Sequence, residues 1–173
     1  MSALSFLMKG KKNVKLAYFN HNTDHSHKAE RFVRRIARSL DLKISVGCYE
    51  HQKPGKKPSE ADWRIQRYKF FQSLNTRIIT AHHLDDSAEW WLFTSLRGSP
   101  KVIPIARDNP DIIRPFVLTS KAEFHKVSAP SEWIEDPSNS DKSFSRNRIR
   151  HSIMPEALRV NPGFLKNVRK AYR

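Results

Sequence analysis

The chain of 173 residues is 38% hydrophobic and 10% aromatic, a composition that fits one folded domain and is too apolar for a disordered chain. Its 32 lysines and arginines outnumber 17 acidic residues and give a net charge of +15, which favours a nucleic-acid partner over a simple solubility surplus. The single Cys48 excludes an intrachain disulfide and paired-cysteine chemistry, and the lack of a long apolar run predicts a soluble, cytoplasmic protein without membrane contact.

Helical and extended patterns alternate in the first half of the chain. The short apolar segment Ser2–Met8 predicts the end of a helix that Gly10 terminates. An apolar stripe at helical spacing, opposite an arginine-rich face, predicts a helix over Lys28–Leu40. The other predicted elements of this half are strands over Val14–Phe19 and Leu42–Val46 and a helix over Ser59–Leu74.

The alternation continues in the second half. Arg77–Ala81 predicts a third strand and Asp85–Leu96 a helix, and a later helix begins at Asp141 or Ser145 and ends before Pro155. The remaining predictions are extended segments at Val102–Ile105 and Ile112–Val117, a helix over Thr119–Lys126, irregular structure over Ser131–Asp141 and a basic C-terminal helix with Pro162 at its first position. Strands that alternate with helices predict an α/β fold with a parallel sheet.

Polar residues follow the first and third predicted strands, at Asn20-His21 and His82-His83. The carboxyl ends of parallel strands meet at one edge of a sheet, where ligands of α/β proteins bind. A zinc site built from histidines is disfavoured, because adjacent histidines on an extended segment point to opposite sides. The sequence therefore predicts a binding site at this edge, and zinc is not its expected ligand.

Asp86 and Glu89 lie three residues apart on the helix after the third strand, so they share a face. Two adjacent carboxylates repel each other unless a cation such as an ammonium group or a metal ion lies between them. The structural alternative is a carboxylate that only stabilises the N-terminal end of the helix. That alternative explains one acidic residue, and the pair is better explained by a functional site.

Arg146, Arg148 and Arg150 occupy alternate positions near the C-terminus. On a helix Arg146 and Arg150 face the same side and Arg148 points away. Guanidinium groups match phosphate oxygens in pairs, which predicts phosphate contact. The alternative is a solvated basic helix that neutralises the acidic pair Glu135-Asp136.

Several motifs stand in a fixed order along the chain. They are Thr80-Ala81-His82-His83-Leu84-Asp85-Asp86 with Glu89; Ile113-Arg114-Pro115; Trp133-Ile134-Glu135-Asp136-Pro137-Ser138-Asn139; and Arg146-Asn147-Arg148-Ile149-Arg150 with Pro155. This series resembles the tRNA(Ile)-lysidine synthetase family of PP-loop ATP pyrophosphatases over nearly the whole chain. The resemblance implies a Rossmann-like PP-loop domain of the adenine nucleotide alpha hydrolase type.

The family adenylates C2 of a cytidine in the tRNA anticodon loop and then attaches lysine with loss of AMP. The resemblance therefore implies ATP, Mg²⁺, lysine and tRNA as ligands, with Mg²⁺ bound through ATP and not at a metal site of the protein. It implies that Asp86 and Glu89 bind lysine and act in catalysis with Arg146 and Arg150. The implied ATP contacts are Ser2, Asn20, His21, His83 and Arg114. The implied RNA contacts are Arg64, Arg67, Arg146, Arg148, Arg150, Arg169 and Lys170.

One family motif has no counterpart among residues 1–173. The family's Ser-Gly-Gly-x-Asp-Ser loop holds the pyrophosphate with backbone N–H groups, and no two of the five glycines here are adjacent. We expect residues 1–127 to form an incomplete PP-loop domain without its first strand, and residues 128–173 to belong to the same catalytic module. Two functions stay open. The first is a lysidine synthetase whose strand and loop come from a second polypeptide or from an earlier start of the same chain, and the second is a catalytically inactive, basic RNA-binding or interaction protein.

Overall fold

The computed structural model describes residues 2–9, 13–50, 58–127, 134, 137–141 and 144–173. The first half contains helix α1 (Ser2–Lys9), strand β1 (Leu16–Asn20), helix α2 (Asp24–Ser39), strand β2 (Ile44–Cys48) and helix α3 (Glu60–Ser73). The second half contains β3 (Ile78–Ile79), α4 (Leu84–Ser95), β4 (Ala106–Arg107), β5 (Ile112–Ile113) and α5 (Lys121–Val127). The C-terminal part contains a 3₁₀ turn (Pro137–Ser140), α6 (Ser145–Arg148), a π turn (Ile149–Ile153), α7 (Met154–Val160) and α8 (Phe164–Lys170).

The described strands form two small sheets. β1 pairs in parallel with β2, with Leu16 opposite Ile44. β3 pairs in parallel with β5, and β4 joins β5 in the antiparallel direction. These parallel pairs bear out the predicted α/β class. The extended segment predicted at Val102–Ile105 forms no strand, since Pro104 lacks a backbone donor, and the paired residues are Ala106–Arg107.

Helix α3 contacts both sheets. The ring of Phe70 lies 5.9 Å from that of Phe19 in β1 and directly over Gly47 in β2, where an added Cβ would be only 2.5 Å from the Phe70 ring. The guanidinium carbon of Arg107 in β4 lies 4.6 Å from the ring centroid of Tyr68. One helix thus holds both sheets, and its close approach to β2 requires glycine at position 47.

Reciprocal side-chain caps determine where two helices begin. Thr23 and Ser26 each bond the other's backbone N–H, so α2 starts directly after Thr23 and not at the predicted Lys28. Ser59 and Asp62 form the same pair at the start of α3, as their spacing predicts. Local hydrogen bonds therefore set these boundaries more strongly than the apolar stripe does.

Two predicted helix boundaries near the C-terminus are wrong. Pro155 does not end a helix, because the helical stretch that begins with α6 passes through the π turn and continues as α7. Pro155 lies in the first turn of α7, where the π turn has already shifted the backbone hydrogen bonds. Pro162 is not a helical residue either: Asn161 Oδ1 accepts the N–H of Gly163, and α8 begins at Phe164.

The main apolar core lies between α4 and the C-terminal helices. Its buried members are Leu84, Ala88, Ile149, Met154, Phe164 and Val168. Residues 149–168 therefore pack directly on the helix that follows β3. In the part of the chain that the structure describes, no helix is both long enough and apolar enough to cross a membrane.

Candidate active site

His83 organises the N-terminal end of α4. Its ring Nδ1 accepts the backbone N–H of Asp86 at 3.3 Å, and Asp86 Oδ2 accepts the backbone N–H of His83 at 3.0 Å. Asp85 instead accepts the backbone N–H of Lys121, at the start of α5, at 2.7 Å. The cap fixes the Asp86 carboxylate and leaves Oδ1 facing the C-terminal helices.

Asp86 and Glu89 face two arginines of the C-terminal helices. Arg150 binds Glu89 through Nε to Oε1 at 2.7 Å and Nη2 to Oε2 at 2.9 Å, and its Nη2 lies 3.3 Å from Asp86 Oδ1. Arg146, one turn earlier, is 3.6 Å from Asp86 Oδ1 and 3.7 Å from Glu89 Oε2. The Glu89 side chain is only 6% exposed and that of Arg146 is 52% exposed. The four groups therefore form one ion-paired cluster between α4 and the C-terminal helices, buried at Glu89 and open to solvent at Arg146, and we call this place the cleft.

His82 lies close to charges of both signs. Burial lowers the pKa of His82 below its usual value, and the nearby Asp86 opposes this shift. Arg114, Arg146 and Arg67 lie near enough to lower the pKa of His82 further. This environment gives a neutral imidazole at neutral pH, beside a carboxylate and several guanidinium groups.

Arg114 is a buried cation at the same place, with 5% of the residue exposed. Its Nη1 donates to the carbonyl of Pro104 at 2.8 Å, whereas its Nε has no hydrogen-bond partner within the described residues. Burial raises the pKa of Tyr172, and the nearby Arg114 opposes that shift. A buried guanidinium with an unsatisfied N–H favours an anionic oxygen as its partner.

Comparison with known sequences identifies the family. The profile of the PP-loop domain family matches residues 2–157. The chain belongs to the PP-loop domain family. It is 31% identical to the tRNA(Ile)-lysidine synthase of Lactiplantibacillus plantarum, over 90% of this chain and 38% of that protein. It is 32% identical to the tRNA(Ile)-lysidine synthase of Streptococcus pyogenes, over 97% of this chain and 41% of that protein. It is also 32% identical to that of Persephonella marina, over 87% of this chain and 36% of that protein. The chain thus spans about two fifths of the length of these relatives.

In this PP-loop domain, the predicted ATP contacts at the end of β1 are engaged within the fold. Asn20 is 2% exposed; its amide nitrogen donates to Glu30 Oε2 at 2.7 Å and its Oδ1 accepts from Ser26 Oγ at 2.6 Å. The ring of His21 packs against Trp63 with centroids 5.2 Å apart. The Asn20 amide therefore holds the connection between β1 and α2 together.

Helix α3 has residues near both strand-end clusters. Trp63 of α3 contacts His21 after β1. Arg67, one helical turn along, lies near His82 after β3. The clusters at Asn20-His21 and His82-His83 therefore lie along the same helix, although β1 and β3 belong to different sheets.

Most of the other predicted RNA contacts make local interactions away from the carboxylate pair. Arg64 lies over an aromatic ring of its own helix at 4.9 Å. Arg169 donates to Glu123 at 2.9 Å, and Lys170 beside it is exposed. Arg148 is exposed, whereas Arg146 and Arg150 turn toward the carboxylates, in agreement with the outward direction predicted for Arg148.

Some predicted residues lie outside the described part of the chain. Ser2 begins α1, but its side chain is not among the described ones, and Trp133, Glu135 and Asp136 fall outside the described ranges altogether. The alternative that the arginines neutralise Glu135 and Asp136 therefore stays untested. Within the described ranges, no group of three or more His, Cys, Asp or Glu is arranged to hold a metal ion.

The sequence patterns placed His82 at the predicted binding edge without a role of its own and gave no indication of Tyr172. His82 lies within the motif shared with the family, and its position directly after a strand is the feature that could have identified it as a site residue. Tyr172 hydrogen-bonds Ser87 of α4 and donates to the carbonyl of Ile103 at 2.7 Å. No local pattern could reveal that contact, because Ser87 and Tyr172 are 85 residues apart.

Proposed function

We propose that the chain is a catalytic component of lysidine synthesis. It binds ATP and tRNA, and with a phosphate-binding loop located outside residues 1–173 it adenylates an anticodon cytidine and transfers lysine to it. Family membership, the similarity to tRNA(Ile)-lysidine synthases and the net charge of +15 support this proposal. The observation that carries it is the single cleft in which Asp86 and Glu89 face Arg146 and Arg150.

The two carboxylates have different roles in this proposal. Glu89 is buried and held by two short hydrogen bonds to Arg150, so it positions that guanidinium. Asp86 Oδ1 has only longer contacts, 3.3 Å to Arg150 and 3.6 Å to Arg146. An incoming lysine ammonium would displace these weaker contacts and bind Asp86 Oδ1. Asp86 is therefore the proposed amine-binding carboxylate.

Lysine must lose a proton before its amine can attack the activated cytidine. Because its pKa is lowered, His82 is neutral at neutral pH, and it lies near Asp86. It is the proposed acceptor for that proton. Arg114 and Arg146, which also lie near His82, would stabilise the negative charge that develops on the departing AMP.

The residues at the cleft fit the phosphates of ATP. The unpartnered Nε of the buried Arg114 offers a donor to an anionic oxygen, and Arg146 is exposed enough to reach one. Mg²⁺ would be held chiefly by the phosphate oxygens, as is usual for this ion. The side-chain amide of Asn20 is bonded within the fold to Ser26 and Glu30, so we assign it the role of holding the end of β1 in place beside this site.

The test measures both steps with radiolabelled ATP and lysine on an unmodified tRNA. The chain alone should release no AMP and transfer no lysine; with a polypeptide that carries the Ser-Gly-Gly loop it should do both. Asp86→Asn should then reduce lysine transfer at least about tenfold more than adenylation. Equal loss of both steps would remove the amine-binding role from Asp86, and no transfer under any condition would refute the proposal.

A second function is an RNA-binding protein without catalysis. The observation that favours it is that the carboxylate pair is already satisfied by the protein's own arginines, so the cleft needs no substrate for its stability. This candidate predicts tRNA binding that weakens steeply with salt, together with no lysine transfer when the loop is supplied. Transfer of lysine in the test above would exclude it.

A further inference from the structure

The face of α4 that carries the two carboxylates continues beyond them. Asp86, Glu89, Phe93 and Leu96 follow at spacings of three, four and three residues, so they lie along one face of the helix, over roughly 15 Å at the standard helical rise. Leu96 is the residue at the far end of this face, just after the last turn of α4. Asp86 and Glu89 at the near end belong to the cleft, and Phe93 is one turn beyond Glu89.

A pocket with a volume of about 310 Å³ lies at that far end. It is lined by Phe93, Leu96 and Arg97 on the α4 side and by Arg148, Ile149 and Ile153 on the α6 side. The same α6 segment sends Arg146 into the carboxylate cleft. The two sites are therefore neighbours between α4 and the C-terminal helices.

The pocket combines apolar and aromatic side chains with positive charge. The guanidinium carbon of Arg97 lies 3.9 Å from the ring centroid of Phe93, and the Phe93 ring stacks on Trp90 at 5.5 Å. Leu96 is 70% exposed at its rim, and Arg148 is exposed on the opposite wall. Among the residues that the structure describes, no acidic side chain lines the pocket. A planar, uncharged group attached to an anion matches this lining.

We propose that this pocket binds the base of an unpaired nucleotide next to the nucleotide that reacts in the cleft, with Arg148 on its phosphate. Single-stranded RNA displays this combination of planar base and phosphate, and stacking together with arginine contacts is how proteins hold unpaired bases. An apolar peptide would use the floor of the pocket but would gain nothing from Arg97 and Arg148. The inference rests on the proposed function, in that the cleft is assumed to receive RNA.

The test uses two pairs of matched variants of the full chain. Leu96→Glu places a negative charge at the pocket rim and is compared with Val160→Glu, an apolar position outside the pocket that is 87% exposed, against 70% for Leu96. Arg148→Ala is compared with Arg159→Ala, an exposed arginine of α7. Binding of a fluorescein-labelled seven-base RNA is measured by anisotropy. The pocket variants should weaken binding about tenfold, and each control about twofold or less.

A second measurement asks whether a base occupies the pocket. The same RNA is prepared with an abasic position at each site in turn. At one position the loss of the base should weaken binding to the normal protein and have little further effect in Leu96→Glu, because both changes remove the same contact. A 4-thiouridine at that position should crosslink to the peptide that contains Phe93. Additive effects at every position would overturn the proposal, and so would pocket variants that behave like their controls.

The outcomes also separate this inference from the proposed function. If the Leu96 pocket binds RNA but the protein transfers no lysine even when the Ser-Gly-Gly loop is supplied, the pocket is supported and the synthetase activity is refuted. Lysine transfer with pocket variants that bind RNA normally would support the activity and refute the pocket. An apolar peptide that binds the pocket more tightly than the RNA would also refute it.

Discussion

Replacing Arg150 with methionine should be one of the most destabilising single changes in the cleft. The change removes both hydrogen bonds to the Glu89 carboxylate, at 2.7 and 2.9 Å, and leaves a carboxylate that is only 6% exposed. Breaking a buried pair costs about 3–5 kcal/mol. Arg150 is 32% exposed and Arg146 lies within 3.7 Å of Glu89, so water and Arg146 offset part of this loss. We expect about 2–4 kcal/mol.

Arg146→Met is the matched control, because Arg146 has the same chemistry, lies one turn away and faces the same carboxylates. It is 52% exposed and its contacts with them are longer, at 3.6 and 3.7 Å, so its replacement should cost about 1 kcal/mol or less. Urea unfolding at pH 7, followed by circular dichroism, measures both values. In a Glu89→Gln background the cost of Arg150→Met should fall to about 1 kcal/mol. This account would be refuted if the two arginine replacements lowered the free energy of unfolding equally. It would also be refuted if Arg150→Met cost as much in the Glu89→Gln background as in the normal protein.

Two further predictions concern stability. The pKa of His82 in the folded state is lowered from the ordinary value of 6.5. The contribution of His82 to the free energy of unfolding is therefore complete above pH 6.5 and is lost as the pH falls toward the folded-state pKa. Between pH 7.5 and 5.5, the normal protein should therefore lose up to about 1 kcal/mol relative to His82→Gln in urea titrations; a pH-independent difference would contradict the burial of this ring. Gly47→Ala should cost about 1–3 kcal/mol, because its Cβ would lie 2.5 Å from Phe70, and Phe70→Leu should recover part of this loss in thermal melts; additive losses would contradict the clash.

Spacing within one helix allowed much of the cleft to be predicted. Asp86 and Glu89 were expected on one face of a helix, and Arg146 and Arg150 on one face of another, because positions three and four apart lie together. The structure shows that these two faces meet. The α/β class followed equally from local patterns, since each strand and helix has its own periodicity.

Contacts between distant segments could not be predicted in the same way. The cation between the two carboxylates was expected to be a ligand, and the structure fills that place with Arg150, 61 residues after Glu89. Asn20 was expected to face a nucleotide, but its amide is bonded to Ser26 and Glu30, whose positions depend on how α2 folds back on β1. Such partners depend on tertiary packing, which cannot be predicted from the hydrophobic periodicity of one helix or strand.

The π turn limits how this segment of the chain can vary. Arg150 reaches the carboxylates of α4, and Met154, four residues later, packs in the apolar core against the same helix. The wider turn holds an additional residue, so the residues after it are rotated by about 100° from where a regular helix would place them, and their packing on α4 depends on that rotation. Deleting His151 or Ser152 would remove that rotation even though both are exposed. This stretch therefore accepts exchanges of side chain at its surface but not a change in its length.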